Sequence, residues 1–479
     1  MTLEERVAEL EALVEAQREL IGRQAATIEV LSRRVADLEA ELGKNSSNSS
    51  LPPSSDTAAE RQSRQARRRS QREASKRRPG KQPGEPGTAL RQVDHPDVVV
   101  VHPPGGCARC GGGLARAEVT GVARRQVFDL PPPRLEVTEH VSESRRCACG
   151  HTTAGAFPPE AEGPACWGPR ARALCVYLLA YQHVPVARAA ELLAALGVPV
   201  STGWVAGQSP RAAHKLGRWL AGLRLRLAGE AVLHADETSG RVAGTLWWLH
   251  VVSTSALTLL VAHRRRGKRA VEDIGVLGAR ADGSTLVHDR AAMYWDYGHG
   301  HALCAAHLLR DLAGAATVEG QARWTSAMAG LLLDAKGHAD TARAEGRPSL
   351  DPATRADIDR RYHAIVSDAL TAAVDLGDHE LNKAQRHAQN LAGAFFDYEP
   401  EILAFTRDLR VPFDNNQAER DLRMAKVHQR ISGGWRTPSG IQTFAQLRSY
   451  LETGRKNTRN PLDLLYQLFT TGPWPIPTG

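Results

Sequence analysis

An apolar run, "AVLHADET" at residues 231 to 238, ends in two adjacent carboxylates, Asp236 and Glu237. A second strand-like run, "STLVHD" (284 to 289), ends in Asp289. Either aspartate alone reads as a cap at a strand exit. Side by side at one sheet edge, however, two carboxylates repel unless a cation lies between them. Carboxylate oxygens are the ligands that Mg²⁺ takes, and a pair of such ions stabilises the attacking and leaving oxygens of a phosphodiester exchange. A third carboxylate is expected from a later helix, and "PFDNNQAERDLRMAKVHQRISGGWRT" (412 to 437) is the best stretch for it. Pro412, Asp414 and Asn415 make a helix start, and Ala418, Leu422 and Ala425 give an apolar face. Glu419 and Asp421 both flank that face, so periodicity does not choose between them. Arg420, Arg423, Lys426 and Arg430 lie near either one and are suited to holding phosphates.

A second kind of chemistry is written in cysteine. "CARC" supplies Cys107 and Cys110, and "CACG" supplies Cys147 and Cys149. Two close thiol pairs offer four soft ligands at tetrahedral geometry, as in a zinc ribbon. The second pair has one intervening residue, so His151 is an alternative to Cys149 as fourth ligand. Between the pairs, "EVTGVARRQVFDL" and "RLEVTEHVSES" alternate like short strands. Seven cysteines, an odd number clustered in this way, do not form the framework of a small secreted domain and point to a reducing cytosol.

These groups need elements to hold them. After 231 the order of short apolar runs is β-β-β-α-β-α-β: "AVLHADE", "TLWWLHVVS" (245 to 253), "LTLLVAHRR" (257 to 265), a helix over 267 to 277, "STLVHD", a further helix and "HALCAAH" (301 to 307). That order specifies a mixed sheet of ribonuclease H type, in which the strands of Asp236 and Asp289 are neighbours. Residues 308 to 398 read as helical, an insertion between the fifth strand and the helix of the third carboxylate. Upstream, "VPVARAAELLAALGVPVSTGWVAGQ" (184 to 208) contains a helix, a turn at Gly197 and a second helix capped by Ser201, which fits a helix-turn-helix.

The N-terminal region is of another character. Residues 3 to 42 carry heptads, with Val7, Val14, Ile21, Ile28, Val35 and Leu42 on one seam and Leu3, Leu10, Gln17, Gln24, Leu31 and Leu38 on the other, the pattern of a parallel two-stranded coil. "GKNSSNSSLPPSSD" (43 to 56) ends the helix. Residues 61 to 81 then hold ten Lys/Arg against Glu73. The chain's formal charge is +8, so this block, which includes Arg67, Arg68, Arg69, Arg77 and Arg78, accounts for all of it. Such a tract buries nothing and attracts polyanions by counterion release, which makes nucleic acid the leading partner. There is no signal-peptide core and no apolar run long enough to span a bilayer, so a cytoplasmic protein without membrane contact is expected.

In order along the chain, "KNSSNSSLPPSSD", the cysteine pairs, "HADET", "HDRAAMYWDY", "HALCAAHLLRDL" and "DNNQAERDLRMAKVHQRISGGWRT" resemble the transposases of the insertion-sequence 66 family, bacterial enzymes of the Asp-Asp-Glu class. The likeness covers nearly the whole chain. It implies that Asp236, Asp289 and Glu419 are the catalytic acids and ligands of Mg²⁺ or Mn²⁺, with Glu237 and Asp421 as neighbours. It further implies that Zn²⁺ is held by the cysteine pairs, and that the partners are double-stranded DNA at element ends and target, a second copy or more through the coil, and accessory transposition proteins. The expected architecture is a multidomain α/β chain: coiled coil (1–42), basic linker (43–100), zinc ribbon-like module (101–155), helical DNA-binding region (165–228), and a ribonuclease H-like catalytic domain (229–307 and 399–479) interrupted by a helical insertion (308–398). Cys304 and His307, in "CAAH", look like a Cys-x-x-His element of several transposase families; two ligands do not define a zinc site, and a structural role is expected. Many family members show Asp-Gly at the second acid where this chain has Asp289-Arg290, so a different local turn is expected there. A dimeric zinc-dependent regulator that binds DNA without catalysis would share the N-terminal third, and a nuclease of the same fold would share the acids.

Overall fold

The computed structural model describes residues 17–24, 27–28, 30–31, 34–35, 90–130, 135–158, 160–298, 300–377 and 381–477. Of the heptad segment, the described residues are helical, with Ile21, Ile28, Leu31 and Val35 exposed; the rest of that repeat lies outside them. The chain divides into two compact units, residues 63–137 and the remainder. In the smaller unit, the Gln126 side chain donates to the Val93 carbonyl (2.7 Å) and accepts from the Val93 N–H (2.8 Å). The expected strands over 118–130 and 134–144 do not form among the described residues up to 143. Their alternating valines, Val119, Val122 and Val127 among them, stay exposed: a period of two makes a strand only where a partner strand and a second layer bury one face.

In the larger unit, a short hairpin joins β1 (Ser144–Arg146) and β2 (Thr152–Ala154). Four helices follow: α1 (Pro169–Val176), continued by a π turn over Tyr177–Tyr181, α2 (Val186–Ala195), α3 (Thr202–His214) and α4 (Gly217–Ala228). The turn from α2 to α3 is built as expected. Gly197 takes a left-handed φ of 82°, and the Ser201 hydroxyl accepts the Trp204 N–H at 3.2 Å, capping α3.

The sheet comprises β3 (Val232–Val242), β4 (Thr245–Ser253), β5 (Thr258–His263), β6 (Thr285–His288) and β7 (Gly300–Leu303), with α5 (Lys268–Ile274) between β5 and β6. Its spatial order is β5-β4-β3-β6-β7, antiparallel among the first three and parallel from β3 to β7. Two expectations need correction. The link from β6 to β7 contains only a 3₁₀ turn, Ala292–Tyr294, rather than a helix. "HALCAAH" is not one strand: β7 stops at Leu303, and α6 (Ala305–Ala315) begins two residues on, because Ala305, Leu308, Leu312 and Ala315 recur at helical spacing and are buried.

The segment 308–398 is helical, with α6 followed by α7 (Ala322–Ala344), α8 (Pro352–Val374) and α9 (Lys383–Asp397), which share one core with Val287 of β6 and Ala302 of β7. Two single-turn helices, α10 (Glu399–Ile402) and α11 (Ala404–Arg407), lead to α12 (Asn416–Ser432), α13 (Pro438–Lys456) and α14 (Pro461–Thr470). One sheet face packs Leu233, Val252 and Leu259 against α4 and α14. The other packs Leu249, Val251 and Leu260 against Ala418, Leu422 and Ala425 of α12 and Phe444 of α13. Edge strand β5 is sealed by α13. The Ser449 hydroxyl accepts the Leu260 N–H (2.8 Å) and the Thr453 hydroxyl the Thr258 N–H (3.1 Å), hydroxyls one helical turn apart meeting alternate strand residues.

Candidate active site

β3 supplies the first acid, but not at its end. The strand runs on past Asp236 to Val242, paired throughout with β4, whereas its parallel ladder with β6 stops at His234↔Val287. Asp236 therefore stands where β6 leaves β3, and the same register brings Asp289 level with it just beyond the end of β6. Asp236 accepts the Glu237 N–H at 2.8 Å. Burial pushes its carboxyl well above the usual carboxylate range, reinforced by the charges of Asp289, Glu237 and Glu419. Asp289 accepts the Ala291 N–H at 3.1 Å. Between them in sequence Arg290 takes a φ of 72°, so the position keeps a glycine-like conformation without a glycine.

Glu237 faces the opposite way from Asp236, as strand alternation requires. It accepts from Arg266 Nε (2.7 Å) and from the Tyr294 hydroxyl (2.6 Å). Arg266 lies over the Trp248 ring, 5.1 Å from its centroid. Burial and the Asp289 charge still raise the Glu237 carboxyl, against the lowering effect of Tyr294 and Arg266.

Asn415 fixes the start of α12 against β3. Its side chain donates to the Ala235 carbonyl (2.8 Å) and meets His234 Nδ1 (2.9 Å), while its backbone N–H donates to Cys304 Sγ (3.1 Å). From that anchor, one turn of helix carries Glu419 toward Asp236. Glu419 Oε1 lies 3.3 Å from Arg310 Nη2 and 3.9 Å from His307 Nδ1. Asp421 points elsewhere. It is fully buried with Lys456 at 2.7 Å and accepts from Gln417 (3.1 Å). Sequence periodicity left these two acids equivalent, and packing separates them.

Of the cations on α12, Arg420, Arg423 and Arg430 are exposed. Lys426 is not free in the same way: its ammonium donates to the Ser239 carbonyl at 2.9 Å, tying α12 to β3. Arg67, Arg68, Arg69, Arg77 and Arg78 lie outside the described residues. At the far end of α12, Gly434 is required: a Cβ there would lie 2.6 Å from the Arg241 carbonyl oxygen, and Trp435 bonds across to Arg241 and Ala243.

Each cysteine pair sits on a tight turn. In the first, Cys107 N–H donates to the Gly112 carbonyl and Gly111 N–H to the Cys107 carbonyl, both at 2.8 Å, with Gly111 left-handed (φ 74°). In the second, Cys147 N–H donates to the His151 carbonyl (2.8 Å) and Gly150 N–H to the Cys147 carbonyl (2.9 Å), with Gly150 left-handed (φ 89°). The second turn is the first with one residue removed, as its shorter thiol spacing demands. Hydrogen bonds from the Cys110 and Cys149 backbone N–H groups hold the Cys107 and Cys147 thiols below their ordinary range, which favours the thiolates that zinc takes.

Several positioning groups were not singled out from sequence, Arg266, Tyr294, Arg310 and Lys456 among them, and Asn415 was read only as part of a helix start. Tyr294 and Asn415 lie inside quoted motifs, so their presence was visible, but partners 57 and 181 residues away were not.

Comparison with known proteins bears on the same segments. The model described as Transposase IS66 family matches residues 164–443, from α1 through α12 into α13. The zinc-finger binding domain of transposase IS66 matches residues 104–150, spanning both cysteine turns. A Family of unknown function (DUF6444) matches residues 2–91. No curated protein matches the chain. With more than half of its length matched by one family and that family's zinc-finger domain preceding it, the chain belongs to the IS66 family of transposases.

Proposed function

We propose that the chain cuts DNA at the ends of its element and joins the freed ends to target DNA, with Asp236, Asp289 and Glu419 as the acids of one centre. What carries this reading is the register that brings Asp236 and Asp289 level where β6 leaves β3, with Glu419 on the helix packed against that point; the Asp236 carboxyl is raised by burial first and then by the charges of Asp289, Glu237 and Glu419. An all-oxygen donor set under mutual repulsion fits hard divalent cations such as Mg²⁺ or Mn²⁺. Bound there, such ions supply charge stabilisation for in-line displacement at phosphorus.

The protein's own groups position the parts. Asp236 and Asp289 sit on the paired strands β3 and β6 or directly after them, so their separation is set by the sheet. Asn415 sets the height of Glu419 against β3. In the first step a water oxygen bonds to phosphorus as the bond from phosphorus to the 3′ oxygen breaks; the water gives up a proton and the leaving oxygen takes one up, so a 5′-phosphate and a free 3′-hydroxyl result. In the second, that hydroxyl attacks a target phosphodiester and a target 3′ oxygen leaves. The mixed order β5-β4-β3-β6-β7 supports reading the domain as ribonuclease H-like, with α6–α9 as an insertion before the helix of Glu419. Arg420, Arg423 and Arg430 offer exposed charge for the DNA backbone, and α2–α3 a helix-turn-helix. Cys107, Cys110, Cys147 and Cys149 hold Zn²⁺, and the heptads pair two copies so that both ends are cut in one complex.

The test is cleavage and joining of labelled DNA bearing the inverted-repeat ends that flank the gene, in Mg²⁺ or Mn²⁺. Loss of any one of the three acids is expected to slow cutting roughly 10⁴-fold, about 5 kcal/mol of transition-state stabilisation. Asp236→Asn, Asp289→Asn and Glu419→Gln are each expected to show that loss while binding DNA. Full activity in any one of them removes that residue from the set, and cutting without joining by the unaltered chain makes it a nuclease.

A further inference from the structure

Cys304, at the N-cap of α6, and His307, in its first turn, lie on one helical face at the i, i+3 spacing. The third group beside them comes from α12. One atom each from Cys304, His307 and Glu419 all fall within 4.8 Å of one another, the only such group of three or more metal-binding side chains among the described residues. His307 Nδ1 is buried without a hydrogen-bond partner, an orphan that a native interior rarely tolerates. Cys304 Sγ already accepts the Asn415 N–H, the contact that metal-bound thiolates usually carry in their outer shell.

The geometry points to a second metal site, in which Cys304, His307 and Glu419 bind a thiophilic divalent cation such as Zn²⁺ or Cd²⁺ and leave one position open. Sulfur, imidazole and carboxylate together suit these ions and do not suit Mg²⁺. The cation competes with Arg310, which now holds Glu419 Oε1 and has a second anchor of its own, Nε donating to the Ala306 carbonyl at 3.0 Å. Occupancy therefore holds the Glu419 carboxylate on α6, where it already lies 3.3 Å from Arg310, and keeps it from serving a cation beside Asp236. On the reading of Glu419 given above, a thiophilic ion at this site inhibits the Mg²⁺-dependent reaction.

The site is tested without activity by titrating metal-free full-length protein with Co²⁺ and following absorption and bound metal. One equivalent is expected at the cysteine turns and a second, with weaker sulfur-to-cobalt absorption from its single thiolate, at Cys304. The second equivalent is expected to vanish in Cys304→Ala and in His307→Gln. His307→Gln alters a less buried position and decides the matter if Cys304→Ala does not fold, as read by circular dichroism. Equal Co²⁺ stoichiometry in the unaltered chain and in folded His307→Gln overturns the proposal. In a second arm, Zn²⁺ added to Mg²⁺-driven DNA cleavage is expected to inhibit the unaltered chain at a concentration at least tenfold lower than His307→Gln. Should no form cleave DNA, the functional reading fails while the cobalt stoichiometry still decides the site.

Discussion

Asp421 and Asp236 both lie where α12 meets the sheet, the first buried and the second partly buried, and they are held in opposite ways. Asp421 is surrounded by donors: Lys456 at 2.7 Å, Gln417, and the Thr258 hydroxyl. Lys456 is itself anchored on the carbonyls of Thr254 (2.7 Å) and Leu257 (3.0 Å), so the pair is a closed knot joining α12, α13 and β5. Asp236 has one backbone donor and three carboxylate neighbours. An enclosed acid with its base supplied from the same chain holds the fold together. An acid among acids has its charge unmet within the chain, a cost that other interactions in the fold must offset and that a bound cation would relieve.

The sharpest way to break that contrast is to remove the base from the first site. Lys456→Met is expected to destabilise the full chain by about 3–5 kcal/mol, because Asp421 is left charged and unpaired. Denaturant midpoints measure it, and Asp421→Leu added to Lys456→Met should recover most of the loss. A simple loss of packing would not be recovered.

At the second site the sign reverses. Asp236→Asn is expected to stabilise the metal-free protein near neutral pH by about 1 kcal/mol or more, the usual direction when a strained functional group is removed. The folded-state pKa of Asp236 is raised, so the protonated acid's contribution is fully present below the unfolded value and is lost as pH rises through the folded one. Unaltered chain and variant should therefore coincide in stability below about pH 4 and diverge as pH rises. Denaturation series with chelator report this, and Mg²⁺ should stabilise the unaltered chain alone. A gap independent of pH would mean that the charge is not what strains the site.

Two smaller effects sharpen the comparison. Arg290→Gly is expected to stabilise by about 1 kcal/mol through relief of the left-handed conformation after Asp289, seen as a raised melting temperature. Arg423→Ala, on the exposed face of the same helix, should leave stability within about 0.5 kcal/mol. It should also lower the salt dependence of DNA binding by about one ion, measured by affinity across a salt series.

Much of this molecule was legible in the order of its residues. The Ser201 cap, the Gly197 turn, the antiparallel run of β3 to β5 and the apolar face Ala418, Leu422 and Ala425 follow from periods and caps that act within a few turns of chain. Where a local pattern lacked a partner it misled: the valines of 118–130 alternate but stay exposed, and the alanines after Cys304 follow helical rather than strand spacing.

By itself the sequence determined which groups were available: carboxylates after two apolar runs, two thiol pairs on turns with glycine, a basic tract and a heptad repeat. Only the tertiary structure decided between Glu419 and Asp421, turned Lys426 inward to Ser239, and brought Glu419 beside Cys304 and His307. The physical reason is range. Helix and strand periods fix which side chains share a face over short spans, whereas a carboxylate's partner 35 or 109 residues away depends on how whole elements pack.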